Sequence, residues 1–302
     1  MNLISTNTKF LANNFATKFS QSKNAYAKDF SPVNNTSNTN PQNTTNPFRV
    51  LPQGYVPVNF TARAEDNLKP VSSTLKKQMQ YAEAVVNNVK NQYGSISPSK
   101  VLMTFQSKRT PQQEDWLAEK QSKLEDLRQN YPSTDNNTKF IDKILENVKS
   151  KDNNLANCYE YAKLAEAALA VNGFKNVKTV KLVGYTNPEF KSRYDLDHTF
   201  VVVNGKFDDD NENVAWNKYE EKFGKNAFVV DPWLGVVDTV ENAMKVYDKV
   251  WKNIPHYQEI KGYSIEEGES LEFLPAKAKK LAQKYPELIV DKASVDFLRY
   301  EK

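Results

Sequence analysis

One thiol and two imidazoles are the groups in this chain best suited to covalent chemistry. The thiol, Cys158, lies in the run NNLANCYEYAKLAEAALAVNG. Asn157 is a good helix N-cap, and Glu160, three residues on, supplies the second half of a capping box. Leu164, Ala165, Ala168 and Leu169 then form one apolar helical stripe, and Gly173 stops the helix. The pattern puts Cys158 at the first helical position. A helix N-terminus carries unpaired N–H groups and roughly half a positive charge, so it favours thiolate, the nucleophilic form. The competing reading is a small buried hydrophobe under a cap.

Two later segments favour chemistry. Asp197-His198-Thr199-Phe200-Val201-Val202-Val203 and Ala227-Phe228-Val229-Val230-Asp231-Pro232-Trp233 are β-branched and aromatic runs that read as strands. His198 opens the first and Asp231 closes the second. Antiparallel pairing would make them neighbours at one sheet edge. With Cys158 on a helix packed against that sheet, the set becomes a nucleophile, a base and an orienter for acyl transfer. Strand alternation points Asp197 to the other face. Asp238 is a weaker substitute for Asp231, and His256 reads as a surface histidine. Trp233 is a candidate shield for the His–Asp hydrogen bond, with an ordinary core aromatic as the alternative.

The blocks NCYEYA, DHTFVVV and VVDPW resemble those of transglutaminase-like cysteine enzymes, a branch of the papain-like superfamily. The details C-x-E-x-A and D-P-W also resemble bacterial effector and toxin deamidases. The resemblance covers about residues 150–240. It implies an α+β fold with a central helix packed on an antiparallel sheet, and a Cys158–His198–Asp231 triad acting on amide bonds. Glutamine deamidation or transglutaminase-like transfer on a protein comes first; a cysteine protease or an inactive binding module of the same fold are the alternatives. An oxyanion would rest on the Cys158 backbone N–H and on an upstream amide, Asn153 or Asn154. The expected partner is a protein or peptide substrate, and the chain is expected to be a monomer. The same resemblance suggests a protein made in a bacterial cytoplasm and delivered to a host cell without a conventional signal peptide.

Composition narrows the rest. A net charge of +4 over 302 residues marks no nucleic-acid surface. No run approaches the roughly 18 apolar residues of a membrane span. One cysteine excludes an intramolecular disulfide, and a zinc cluster of the usual Cys/His type cannot be assembled. With no Gly-rich phosphate loop either, no cofactor and no metal are expected. Asp209, Asn211, Asn213 and Glu220 mimic a calcium loop, but Val214 stands where glycine is required, so a solvated acidic turn is the better reading.

Along the chain, residues 1–65 read as a disordered leader, polar and Pro-interrupted. Residues 66–150 read as a helical region flanking the core. It holds an amphipathic helix from Ser73 to near Gly94, a short strand at 97–105, a helix opened by Thr110-Pro111-Gln112-Gln113, and another at about 140–148. Residues 151–302 form the cysteine-enzyme core. Val177–Val183 reads as a strand beside the His198 strand. A short helix is expected at 214–223, one at 239–252, and a basic one at 275–288. Val295, Phe297 and Leu298 read as a docking segment. Residues 253–274 have no clear pattern.

Overall fold

The computed structural model describes residues 71–93, 95–104, 109–131, 138–150, 154–186, 196–206, 214–215, 223–254, 257, 259–267 and 275–295. The expected leader, the acidic loop, Asn153, His256, Phe297 and Leu298 lie outside them. Residues Pro98–Ser122 belong to one compact unit; 71–97 and 123–295 belong to another.

The smaller unit contains α2 (Pro98–Thr104) and the start of α3 (Pro111–Asn130). The strand expected at 97–105 is therefore a helix. Pro98 at its first position is the reason: its fixed φ suits the first turn and its missing N–H costs nothing there. α3 opens as its sequence predicts: Thr110 N–H donates to Gln113 Oε1 at 2.9 Å, and Gln113 N–H to Thr110 Oγ1 at 3.3 Å.

The larger unit begins with α1 (Ser73–Gln92), capped by Ser72, whose hydroxyl accepts from Leu75 N–H. Leu75, Ala82, Val86 and Val89 are buried, as the periodicity predicts, while Met79 is half-buried. α4 (Thr138–Lys149) buries Phe140, Ile141, Ile144, Leu145 and Val148. α5 (Cys158–Val171) follows, and Phe174 N–H closes its C-terminus on Leu169 C=O at 3.0 Å. Gly173 there has φ 83°, a conformation side chains resist, which explains the stop.

A six-stranded antiparallel sheet supports this helix. Its strands are β1 (Val177–Tyr185), β2 (Leu196–Val203), β3 (Val214–Ala215), β4 (Phe228–Asp231), β5 (Val236–Thr239) and β6 (Gly262–Glu267), in the order β3-β6-β1-β2-β4-β5. α6 (Val240–Lys252), the basic α7 (Pro275–Lys284) and two 3-10 turns, Pro286–Leu288 and Lys292–Ser294, follow among the described residues. The fold is α+β. The short helix expected from 214 begins instead with a strand, because Val214 and Ala215 pair with Ile265 and Ser264 of β6. β6 itself occupies the stretch that carried no pattern, and Val236–Thr239 pairs with β4 rather than simply leading into a helix.

α5 packs against β1, β2 and β4, and against α1, α4 and α7. Elements on all sides explain why every residue from Glu160 to Leu169 is buried. Within α5, Lys163 and Glu166 are both fully buried, 3.4 Å apart. Thr179 of β1 donates its hydroxyl to Glu166 at 2.7 Å, tying helix to sheet. Buried charge persists only when paired and hydrogen-bonded in this way. Among the described residues no helix is long and apolar enough to cross a membrane.

Candidate active site

The tip of α5 is a capping box, as the Asn157/Glu160 spacing predicts. Glu160 accepts from Asn157 N–H at 2.9 Å. Arg128 then grips the same carboxylate with both arms: Nε donates to Oε1 at 2.7 Å and Nη2 to Oε2 at 3.0 Å. Its guanidinium also lies 5.3 Å from the centre of the Tyr159 ring. Cys158 is thus placed at a turn fixed from both sides, and it is half-buried rather than sealed in the core.

Arg128→Ala should leave the fully buried Glu160 without its cation. Breaking a buried pair from one side costs about 3 kcal/mol at the lower end of such cases, the end that applies because Arg128 stays partly exposed. Urea unfolding measures this. Arg128→Lys should recover only part of the loss, since an ammonium cannot reproduce the fork. Equal stability of all three proteins would refute the assignment.

β2 and β4 supply the other two groups. Their register pairs Val201 with Val230 and Val203 with Phe228. Continuing it sets Phe200 opposite Asp231, and His198, two residues beyond on the same face, becomes the diagonal neighbour. The result is a contact of 2.6 Å between His198 Nε2 and Asp231 Oδ2, with both side chains buried. Nε2–H donates here, because an ionised carboxylate only accepts. Asp231 Oδ2 also accepts from Tyr247 Oη–H at 3.1 Å, and Oδ1 from Leu234 N–H at 3.0 Å. Every direction in which the carboxylate could turn is held.

Cys158 acts on the same imidazole. Burial, the largest single influence, works to lower the His198 pKa; the charge and hydrogen bond of Asp231, then the hydrogen bond and charge of Cys158, outweigh it and raise it to about 10. With Nε2 engaged by Asp231, Nδ1 is the nitrogen that can meet the thiol. Burial likewise pushes Asp231 up, but His198, Leu234 N–H and Tyr247 together hold it below its ordinary value. Burial first, then the Asp231 charge, drives the Tyr247 phenol well above its usual pKa, so it stays a donor.

An aromatic box surrounds the imidazole. Ring centres lie 5.2 Å away for Trp233, 5.3 Å for Trp251, 5.5 Å for Tyr247 and 6.1 Å for Phe200. Trp233 therefore sits against His198, where shielding was expected of it. Its Nε1–H donates to Ser97 Oγ at 2.8 Å. Of the residues set aside from the sequence, Asp197 points away and pairs with Lys181 at 3.1 Å, as alternation predicts. Asp238 accepts from Thr239 N–H and Asn242 at the start of α6 and takes no part in the cluster. Asn154 is half-buried, and its carbonyl accepts from Ile96 N–H at 2.8 Å.

The sequence reading did not single out Tyr247, Trp251, Ser97 or Arg128 for the site. A signal existed for the first two: they stand four apart on the apolar face of one helix, so both rings meet one neighbour. Ser97 and Arg128 lie far from the three blocks and carry no local signal.

Chemically, the cluster can move a proton between a thiol and a leaving group, with the imidazole oriented by a carboxylate. Among the described residues no three His, Cys, Asp or Glu side chains are grouped to hold a metal ion. No model of a known protein family matches the chain, nor does any curated protein or any solved structure.

Proposed function

We propose that this chain is a thiol-dependent acyl-transfer enzyme with a papain-like, transglutaminase-type core, and that its reaction is deamidation of glutamine in a protein substrate. One observation carries the proposal: Asp231 lies 2.6 Å from His198 Nε2, and the half-buried Cys158 at a helix tip helps to raise the pKa of the same imidazole. The likeness of NCYEYA, DHTFVVV and VVDPW to the blocks of that superfamily supports the choice of reaction.

In this reading Cys158 gives its proton to His198 Nδ1 before the substrate binds, which keeps the imidazole charged, and the sulfur then attacks the side-chain amide carbon. The carbonyl oxygen becomes an oxyanion that the Cys158 N–H stabilises. When the C–N bond breaks, His198 returns the proton and ammonia leaves. Water, deprotonated by His198, then attacks the thioester; glutamate forms and the thiol is restored. Asp231 stays ionised and keeps Nε2–H pointed at itself, so Nδ1 faces the sulfur in every step. An amine in place of water would give transfer instead, and a backbone amide in place of the side chain would give cleavage.

Mass spectrometry of candidate protein substrates, incubated with the native protein and with Cys158→Ala, tests this. A gain of about one mass unit at a glutamine, seen only with the native protein, is expected for hydrolysis through a thioester. Shorter fragments would replace deamidation by peptide cleavage. The same modification with Cys158→Ala would defeat the thiol mechanism.

A further inference from the structure

The three sequence blocks leave open what holds the helix tip in register with the imidazole. Ser97 lies between them. Residues 95–97 run beside 154–156: Ile96 N–H donates to Asn154 C=O at 2.8 Å, Ala156 N–H donates to Ile96 C=O at 3.0 Å, and Ile96 pairs in parallel with Leu155. One residue earlier, Ser95 Oγ–H donates to Tyr161 Oη at 2.7 Å. This clamp fixes Ser97 beside the N-cap of α5. There its hydroxyl donates to Asn157 Oδ1 at 3.0 Å and accepts from Trp233 Nε1–H at 2.8 Å.

Ser97, Asn157 and Trp233 are 8%, 2% and 2% exposed, so water does not readily replace these bonds. Only a group that is donor and acceptor at once can satisfy both neighbours: the indole only donates and the amide oxygen only accepts. The two ends of the relay differ in what they touch. Asn157 immediately precedes Cys158 and caps its helix. Trp233 has its ring centre 5.2 Å from that of His198. The relay therefore spans from the residue that sets the sulfur to the ring that sets the imidazole.

We infer that Ser97 is a positioning residue, which fixes the distance and angle between Cys158 and His198 through Asn157 on one side and Trp233 on the other. The inference rests on the thiol–imidazole reading above. A mechanism of this kind is sensitive to small errors in reactant placement, because a shift of about 1 Å costs on the order of 100-fold in rate.

The test is alkylation of Cys158 by iodoacetamide, a probe that needs no knowledge of the substrate, at about pH 6 and about pH 9. The native protein, Ser97→Ala, Ser97→Thr, Trp233→Phe and His198→Ala are compared, and melting temperatures are recorded alongside. At the lower pH, Ser97→Ala is expected to label about tenfold more slowly than the native protein, with a smaller loss at the higher pH. Ser97→Thr, which keeps the hydroxyl, should restore most of the rate. A purely structural serine would lower the melting temperature and leave the ratio of the two rates unchanged.

Should Ser97→Ala not fold, Trp233→Phe decides, because it keeps a ring against His198 and removes the donor; it should show the same change in ratio. If His198→Ala labels slowly but Ser97→Ala or Trp233→Phe labels as the native protein does, the relay is refuted and the thiol–imidazole pair stands. If His198→Ala labels at the native rate and ratio, the pair itself is refuted, and the relay with it.

Discussion

Asp231→Asn is expected to lower turnover by about 10⁴-fold while leaving the fold intact. The carboxylate accepts three hydrogen bonds in the native protein, from His198 Nε2, Tyr247 Oη and Leu234 N–H. An asparagine in its place has one oxygen and one amino group. The Leu234 N–H needs an acceptor at 3.0 Å, so the amide oxygen turns that way and the amino group faces His198. Nε2 must then accept, the ring proton moves to Nδ1, and Nδ1–H cannot receive the thiol proton. Tyr247 can rotate its hydroxyl to accept from the new amino group, so the packing survives. Turnover is measured on the glutamine substrate found by mass spectrometry, with iodoacetamide labelling at neutral pH as an independent readout. Both should fall. Turnover within about tenfold of native would mean that tautomer control by Asp231 is not what the reaction needs.

How far the site could be read from the chain differed from element to element, for physical reasons. The tip of α5 was legible because a capping box is local: Asn157 and Glu160 announce it within four residues. The meeting of His198 and Asp231 was legible because two β-branched runs, one opened by the imidazole and one closed by the carboxylate, bring their polar ends together if they pair antiparallel. That β2 and β4 do pair was an assumption from pattern, and the register bears it out. The misread elements are short ones. Pro98–Thr104 has a run of Val, Leu and Met that suits strand or helix equally, and only the proline favoured helix. Val214–Ala215 is a strand because β6 is there to pair with it. Lys163 and Glu166 are interior although charged side chains favour the surface, because α5 has neighbours on every side. Arg128 and Ser97 were beyond reach for a further reason. Each acts across a long sequence separation, Arg128 on Glu160 and Ser97 on Trp233, and nothing local marks such a contact.

His198→Gln should destabilise the protein most in weakly acid solution and progressively less as the pH rises. The sign follows from the direction of each shift. The folded His198 pKa is raised from 6.5 to about 10, so its contribution is complete below about pH 6.5 and is lost as the pH climbs toward 10. The folded Asp231 pKa is lowered from 3.8, so its share is present above that value and disappears as the pH falls through the folded pKa. The ion pair therefore stabilises most between about pH 4 and 6.5, a window bounded by the unperturbed values of its two members. Losing one side of a buried pair costs about 3–5 kcal/mol, and that is the expected difference in unfolding free energy near pH 5. Urea unfolding of the native and His198→Gln proteins near pH 5, 7 and 9 traces the decline. Repeating the series with Cys158→Ser in both proteins separates the two charges acting on the ring. Cys158 helps to raise the His198 pKa, so without the thiol the alkaline loss should be complete at lower pH. A difference that stays constant from pH 5 to pH 9 would mean that folding does not shift the His198 pKa. An alkaline limb unmoved by Cys158→Ser would mean the sulfur and the ring do not share charge, and the proton transfer that the proposed reaction begins with would lose its physical basis.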